Sequence, residues 1–271
     1  MTVKTIAPEK VMRAPWRYDV EPFQIADNLY YVGNSTVSTH LFDTGEGLLL
    51  LDTGYIQTAY MLFESIRKLG FDPADVRWIL HTHGHYDHFG ATRLFVEKYG
   101  CKTYMPEKDL PFLDEQPEMN CYPVYGFYYE APHDLYFKVD VPVNPGDVLT
   151  FGNTKVEVFN AAGHTPGTVA YRFTLPSGLK AAMHGGVGIN SLSKEYAAKH
   201  GLGETWRNNF VESLPKLKGL EVDIVLGNHP KQTDTMGKLS RRTPENNTFI
   251  DPTEWDRFLD KTMNNYLEKC T

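Results

Sequence analysis

The 271-residue sequence is poor in three features that mark common classes of protein. Its three cysteines, Cys101, Cys121 and Cys270, form no CxxC pair, which excludes a disulfide framework and a cysteine-based zinc ribbon. It contains no run of about 18 apolar residues, so we expect no membrane span and no membrane partner. Its formal net charge of −7 leaves no excess of basic residues, so we expect no nucleic-acid partner.

The chain has the composition of a globular domain, with 41% hydrophobic and 23% charged residues. We therefore predict a single domain over residues 1–271, with an N-terminal leader over about residues 1–20. This leader lacks the apolar core of a signal peptide, which predicts a cytoplasmic protein. Pro252 near a helix start predicts a C-terminal helix over about residues 252–268. No pattern in the sequence indicates an oligomeric state.

Four of the ten histidines fall within one short stretch, HTHGHYDHFG, which begins at His81. On an extended segment, residues two apart point the same way, so His83 and His85 can face one metal ion together. Asp87 continues this spacing, and His88 turns inwards as the strand gives way to a helix. The stretch can therefore offer two ligands to each of two ions.

Each ion needs a further ligand, because a catalytic zinc site has about three protein ligands and a water. The candidates are His164 and His229, which both follow a predicted strand. Loops at strand ends are where functional groups are usually mounted. Within the histidine stretch, Gly84 leaves room for the backbone to bend.

The other histidines are assigned different roles. His81 precedes the cluster by one strand period, which permits a role as a partner of the ligands, but a structural role is the favoured interpretation. We interpret His40, His133 and His200 as structural side chains, and the role of His184 stays open.

Apolar patterns predict strands that alternate with helices in the first half of the chain and form hairpins in the second. The predicted strands are 28–33, 36–42, 48–52, 76–80, 148–151, 154–159, 168–174, 179–183 and 221–226. The predicted helices in the first half are 59–69 and 90–99.

Between the halves, residues 106–143 are rich in proline and show weak periodicity. They include the aromatic residues Tyr122, Tyr125, Phe127, Tyr128 and Tyr129. A long loop of this kind is usually functional or disordered. It is either a lid over a pocket or a stretch anchored to the body or to a partner subunit.

The pattern His83-x-His85-x-Asp87-His88, with His164 and His229 at these separations, resembles the metallo-β-lactamase superfamily. The segments Leu51-Asp-Thr-Gly54 and Gly163-His-Thr-Pro-Gly167 add to the likeness, which covers nearly the whole chain. The resemblance implies an α/β fold, the αββα sandwich, in which two mixed β-sheets are flanked by helices. It also implies two Zn2+ ions per chain at one edge of the sheets.

Within the superfamily, the chain looks most similar to the third subclass of class B β-lactamases. Its opening (Trp16, Glu21-Pro-Phe23 and Tyr30-Tyr-Val-Gly33) and its closing strand Asp223–Pro230 carry this likeness. The likeness implies one zinc site formed by His83, His85 and His164, and a second formed by Asp87, His88 and His229.

The branches of the superfamily differ in the residues that they carry at the corner Met183–Gly188. Glyoxalase II and many lactonases carry an aspartate there, and the first two subclasses of class B β-lactamases carry a cysteine. The third subclass often carries serines, whereas this chain has Gly186 and Gly188. The substrate is therefore less determined than the metal site.

These observations predict a zinc-dependent hydrolase in which a metal-bound hydroxide attacks an amide or ester carbonyl of a small molecule. Asp87 is the predicted catalytic residue, because it would bind the second zinc and orient the nucleophile. Three alternatives stay open: a β-lactamase with a possible part in antibiotic resistance, a hydrolase of a lactone, thiolester or other small ester, and a non-catalytic metal-binding protein.

Overall fold

The structure, a computed structural model, describes residues 8–121 and 135–270. In chain order its strands are β1 (Phe23–Ala26), β2 (Leu29–Tyr31), β3 (His40–Asp43), β4 (Leu48–Leu51), β5 (Val76–Leu80), β6 (Lys102–Pro106), β7 (Val141–Val143), β8 (Val148–Phe151), β9 (Thr154–Asn160), β10 (Val169–Thr174), β11 (Lys180–His184) and β12 (Ile224–Leu226). Its α-helices are α1 (Pro8–Arg13), α2 (Ala59–Lys68), α3 (Tyr86–Phe89), α4 (Thr92–Tyr99), α5 (Lys194–Lys199), α6 (Glu204–Lys216), α7 (Thr235–Arg241) and α8 (Glu254–Cys270).

The strands form two sheets. In the first, β1 to β7 lie side by side in chain order, antiparallel from β1 to β4 and parallel from β4 to β7. In the second the order is β12-β11-β10-β9-β8, and the β11–β12 pair is parallel while the other pairs are antiparallel. Both sheets are mixed, as the predicted sandwich requires.

The apolar run in β4 shows how the layers are built. All four leucines are buried, as is usual for a strand covered on both faces. Leu49 and Leu51 belong to the core between the sheets, where Phe42 stacks on Phe173 with ring centroids 4.6 Å apart. The leucines between and before them belong to the cluster of the outer face with residues of α2 and α4.

The second sheet is covered in the same way. Ala170, Ala182 and Val225 belong to a cluster with Phe210 of α6 and Trp255 of α8. Helices therefore lie outside both sheets, and the predicted αββα sandwich is confirmed.

The register places several strand ends at one edge of the sandwich. Leu51 pairs with Leu80 in the parallel β4–β5 pair, so the chain leaves both strands at the same level. Met183 pairs with Leu226 in the parallel β11–β12 pair, with the same result in the second sheet. Loops that follow parallel strands can therefore converge on one site.

The predicted strand over 36–42 begins only at His40. Asn34 ends the extended path before it, because its side-chain oxygen accepts hydrogen bonds from the backbone N–H groups of Thr36 (2.8 Å) and Val37 (3.0 Å). This side-chain turn competes with the sheet for the same donors. The prediction was wrong for residues 36–39.

The predicted helix over 90–99 is α4, which begins at Thr92, and Gly100 ends it in a left-handed conformation with φ +69°. The short helix α3 precedes it and ends at Phe89. The prediction omitted β1, β6 and β7, as well as α1, α3, α5, α6 and α7. Most of these elements are short, and short elements carry little periodicity in the sequence.

The predicted leader contains α1, whose Val11 and Met12 are buried in one cluster with Phe89 and Leu113. The predicted C-terminal helix is α8, Glu254–Cys270. No helix among the described residues combines the length and the apolar character needed to cross a membrane.

The stretch over 106–143 is described only in part. Residues Glu107–Phe112 and Pro117–Asn120 form 3-10 turns, and the Asn120 side chain donates to the Phe112 carbonyl (3.1 Å). Leu113 packs in one cluster with Val11 and Phe89, so this part is anchored to the body. The five aromatic residues of this stretch, Tyr122, Tyr125, Phe127, Tyr128 and Tyr129, lie outside the described residues, as does His133.

Candidate metal centre

Five loops meet at the edge where the parallel strands end. Two follow β4 and β5, one joins β9 to β10, and two follow β11 and β12. Together they bring all six predicted ligands into two neighbouring groups. The assignment of these residues as metal ligands stays a prediction, but their proximity is a property of the fold.

The first group consists of His83, His85 and His164, whose candidate ligand atoms all lie within 4.8 Å of one another. Their ring centroids are 4.5 to 4.8 Å apart. The Nε2 atom of His83 is buried and has no hydrogen-bond partner among the described residues. An unpaired buried nitrogen is costly, and a metal ion would satisfy it.

The second group consists of Asp87, His88 and His229, again with ligand atoms within 4.8 Å of one another. Oδ2 of Asp87 lies 3.6 Å from Nε2 of His88 and 3.5 Å from Nε2 of His229. The two groups adjoin, since the rings of His83 and His88 are 4.4 Å apart.

In three of these histidines, Nδ1 donates to an oxygen outside the group. His88 donates to the Asp52 carboxylate (2.8 Å), His164 to the Gly188 carbonyl (2.7 Å) and His229 to the Thr36 carbonyl (2.8 Å). These acceptors place the proton on Nδ1 and leave the Nε2 lone pair free. Metal-binding histidines are held by such partners almost without exception.

Burial and neighbouring charge act differently on the two groups. Burial lowers the pKa of His164 to about 4 and the pKa values of His83 and His85 well below the ordinary value. Burial alone would lower the pKa of His88 as well, but Asp87 and Asp52 outweigh it and raise that pKa. Burial opposes ionisation of Asp87, yet the surrounding imidazoles lower its pKa.

The donor set fits a pair of divalent transition-metal ions. Neutral imidazole is the form of histidine that binds a metal, and the first group is held in that form. The second group adds one carboxylate. Nitrogen-rich ligands with a single carboxylate suit zinc.

The remaining histidines lie outside both groups. His81 is buried, and its two nitrogens contact the Tyr104 carbonyl (2.8 Å) and the Thr92 hydroxyl (2.8 Å). His81 therefore stabilises the start of α4 and does not contact a candidate ligand through these hydrogen bonds. His40 is buried in β3, where its ring meets Tyr31 edge to face.

His184 and His200 are also not members of the groups. Nδ1 of His184 accepts a hydrogen bond from the Gly186 N–H (3.2 Å), so this buried side chain stabilises the corner after β11. His200 packs its ring on that of Tyr196 beyond α5.

The packing of His164 explains why glycine occurs at positions 186 and 188 in the corner after β11. A β-carbon added at Gly186 would lie 2.4 Å from Cδ2 of His164, and one at Gly188 would lie 2.9 Å from its Cε1. The imidazole thus occupies the space that a side chain at either position would need. An aspartate, cysteine or serine at these positions would require a different placement of His164.

Residues that the sequence analysis missed also support the site. The Thr36 and Gly188 carbonyls hold candidate ligands, but a backbone carbonyl leaves no mark in the sequence. Asp109 is wholly buried and accepts hydrogen bonds from both loops of the first group. Burial raises its pKa to about 6, while the three donors act in the opposite direction. In the sequence, Asp109 is one acidic residue within the long stretch over 106–143, and nothing else marks it as a residue of the site.

The chain is similar in sequence to one family model and to several curated proteins. The family model of the metallo-beta-lactamase superfamily matches residues 32–179. A probable metallo-hydrolase of Methanocaldococcus jannaschii is 25% identical over 128 residues, which cover 46% of this chain and 57% of that protein. A hydroxyacylglutathione hydrolase of Bradyrhizobium sp. is 31% identical over 107 residues, which cover 38% of this chain and 32% of that protein. The chain thus spans from about a third to just over half of these curated relatives.

Solved structures are similar over a greater length. BJP-1, a subclass B3 metallo-beta-lactamase of Bradyrhizobium japonicum, superposes with a TM-score of 0.81 at 27% identity, covering 95% of this chain and 96% of that one. FEZ-1, a metallo-beta-lactamase of Legionella gormanii, superposes with a TM-score of 0.79 at 25% identity. The superposition covers 93% of this chain and 95% of that one.

The fold and the family match define the class of protein. The chain belongs to the metallo-β-lactamase superfamily, and its αββα sandwich is the fold of that superfamily.

Proposed function

We propose that this protein is a dinuclear zinc hydrolase that cleaves an amide or ester carbonyl of a small molecule, with a β-lactam as the first candidate. The two complete sets of three ligand atoms carry this proposal. The similarity to BJP-1 and FEZ-1 over nearly the whole chain supports the β-lactam.

Each side chain has a defined task in this proposal. His83, His85 and His164 would hold the first ion, and Asp87, His88 and His229 the second. When bound, the ions supply a water of lowered pKa and polarise the carbonyl. Asp87 would also orient the attacking water, because its carboxylate accepts hydrogen bonds and lies between the two neighbouring imidazoles.

A thiolester is the second candidate. The similarity to hydroxyacylglutathione hydrolases supports it, although the matched part covers only 32% of the Bradyrhizobium enzyme. The corner argues against it, since glyoxalase II carries an aspartate there, where this chain has Gly186. The packing of His164 against Gly186 leaves no room for that aspartate.

The test compares substrates on zinc-loaded protein. We expect two zinc ions per chain and hydrolysis of a chromogenic cephalosporin with kcat/KM above about 10⁴ M⁻¹s⁻¹, the range of enzymes on their own substrates. Asp87→Ala should lower the rate by orders of magnitude. Asp260→Ala, an exposed aspartate on α8, should leave it unchanged.

Other outcomes separate the alternatives. A trace rate with cephalosporin and a high rate with an S-acyl thiolester or a lactone would reject the β-lactam and retain the hydrolase. Two tightly bound ions without turnover of any ester or amide would reject the hydrolase and favour a metal-binding protein.

A further inference from the structure

Asp109 is a buried carboxylate for which the proposed function supplies no task. It lies in the 3-10 turn Glu107–Phe112, has no exposed surface and belongs to neither group of candidate ligands. Its Oδ2 accepts hydrogen bonds from the Gly84 N–H (2.8 Å) and the Thr165 hydroxyl (2.5 Å). Its Oδ1 accepts one from the Gly167 N–H (2.6 Å).

The three donors come from the two loops that carry the first group. Gly84 lies between His83 and His85, and Thr165 directly follows His164. These loops are far apart in the chain and come from different sheets. One carboxylate therefore connects the two backbone segments on which all three candidate ligands of the first ion are mounted.

The loop of His164 is ordered around the same carboxylate. The Thr165 N–H donates to the Thr168 hydroxyl (2.9 Å), and the two threonine hydroxyls are 2.7 Å apart. Because the Thr165 hydroxyl donates its hydrogen to Asp109, its oxygen accepts a hydrogen bond from the Thr168 hydroxyl. A continuous path of hydrogen bonds thus runs from the loop to Asp109.

Glycine is required on both sides of Asp109. A β-carbon at Gly84 would lie 2.9 Å from Cβ of Asp109, and one at Gly167 would lie 2.7 Å from its Cγ. The glycine between the two histidines therefore makes room for Asp109 to approach. This close contact fixes the distance between the loops more tightly than one hydrogen bond would.

We propose that Asp109 is a positioning residue that sets the separation of the His83–His85 segment from the His164 loop, and thereby the zinc affinity of the first site. The inference rests on the proposed function only in taking these three histidines as ligands. An ionised carboxylate has only acceptor atoms, so it accepts all three hydrogen bonds. An asparagine amide would instead turn an N–H group towards one of the three donors. An unpaired buried N–H group would otherwise shift the loops.

The test is a zinc titration of Asp109→Asn against a chromophoric chelator. The substitution is made in two backgrounds, each of which removes one ligand of the other site. Asp87→Ala leaves the first group complete, and His164→Ala leaves the second complete. We expect Asp109→Asn to raise the zinc Kd of the first site about 10–100-fold, the cost of losing a residue that orients ligands. The Kd of the second site should not change.

Asp140→Asn is the matched control. Asp140 also accepts hydrogen bonds from a backbone N–H and a threonine hydroxyl, both of Thr103 (2.9 and 3.2 Å), but it holds no loop of the metal centre. It should leave both zinc affinities unchanged. Circular dichroism of the metal-free proteins selects a temperature at which every variant is folded.

Thr165→Val provides a milder variant if Asp109→Asn does not fold. It removes one of the three donors and retains the carboxylate, so the Kd of the first site should rise by a smaller factor. The proposal is overturned if a folded variant keeps the first-site affinity of its parent, or if both sites weaken equally. The titration uses no substrate, so a wild-type protein that binds two ions without hydrolysis would refute the proposed function and not this inference.

Discussion

The two groups of candidate ligands differ in charge. The first consists of three imidazoles that burial keeps neutral. The second contains the Asp87 carboxylate, and its His88 is bonded to a further carboxylate, Asp52. The first site would therefore depend mainly on placement of its ligands, and the second on charge as well.

They also differ in exposure. His83 is completely buried, whereas 36% of the His229 side chain is exposed. The second group is thus the one nearer to solvent. A cation in the second group would be stabilised by two carboxylates, whereas a cation in the first would rely on Asp109 to hold its neutral ligands together.

The strongest test of the role of charge is Asp52→Asn. Asp52 accepts hydrogen bonds from His88 Nδ1 and from the backbone and hydroxyl of Thr82. The side-chain amide of asparagine would turn an N–H group towards one of these donors. We expect the zinc affinity of the second site to fall about 100-fold, and that of the first to fall less, because Asp52 reaches it only through Thr82. Zinc titration measures both.

Asp27→Asn is the control for this substitution. Asp27 and Asp52 both have positive φ, 42° and 60°, which asparagine tolerates, so neither change strains the backbone. Asp27 accepts a hydrogen bond from Ser177 and lies outside the ligand groups. Equal losses at both sites in Asp52→Asn would contradict the difference between the groups.

Placement of ligands is tested by Gly186→Ala. The new β-carbon would displace the His164 ring, which the Gly188 carbonyl holds in place. We expect the zinc affinity of the first site to fall about 10-fold and that of the second to stay the same. Gly203→Ala is the control, since no described atom lies within 4 Å of a β-carbon there. An unchanged first site would show that the ring can move freely.

A separate effect concerns the pH dependence of the stability of the metal-free protein. Burial lowers the pKa of His40 to about 4, against the opposing charge of Asp52, and the pKa of His184 to about 3, with a smaller contribution from His164. The unfolded chain takes up protons below about pH 6.5, whereas these folded side chains do not until a lower pH. The free energy of unfolding should therefore fall as the pH drops from about 6.5 to about 4, by up to about 1.4 kcal/mol per pH unit for each histidine.

The histidines of the metal centre contribute to this pH dependence with different signs. The first-group histidines and His229 add to the loss, because burial lowers their pKa values. His88 opposes it, because the neighbouring carboxylates raise its pKa. Denaturant titrations at pH 7, 6 and 5 measure the sum, and His40→Gln should reduce the slope. A free energy of unfolding that is constant over this range would contradict the assignment of neutral buried histidines.

Much of the candidate site could be predicted because its chemistry is local. His83, His85, Asp87 and His88 lie in one strand-to-helix segment, where spacing alone decides which side chains share a face. Few residue types bind zinc, so His164 was recognisable at a strand end. The strand predicted over 36–42 was wrong over residues 36–39 for an equally local reason, since the Asn34 side chain accepts hydrogen bonds from donors that the sheet would use.

The sequence by itself determined which side chains can bind a metal and that the chain forms two sheets with helices outside. Only the tertiary structure decided what holds those side chains in place. Asp109 lies 25 residues from Gly84 and 58 from Gly167, and the carbonyl that holds His229 lies 193 residues away at Thr36. Such contacts depend on how the two sheets pack, and a backbone carbonyl has the same chemistry at every position, so no local pattern reveals them.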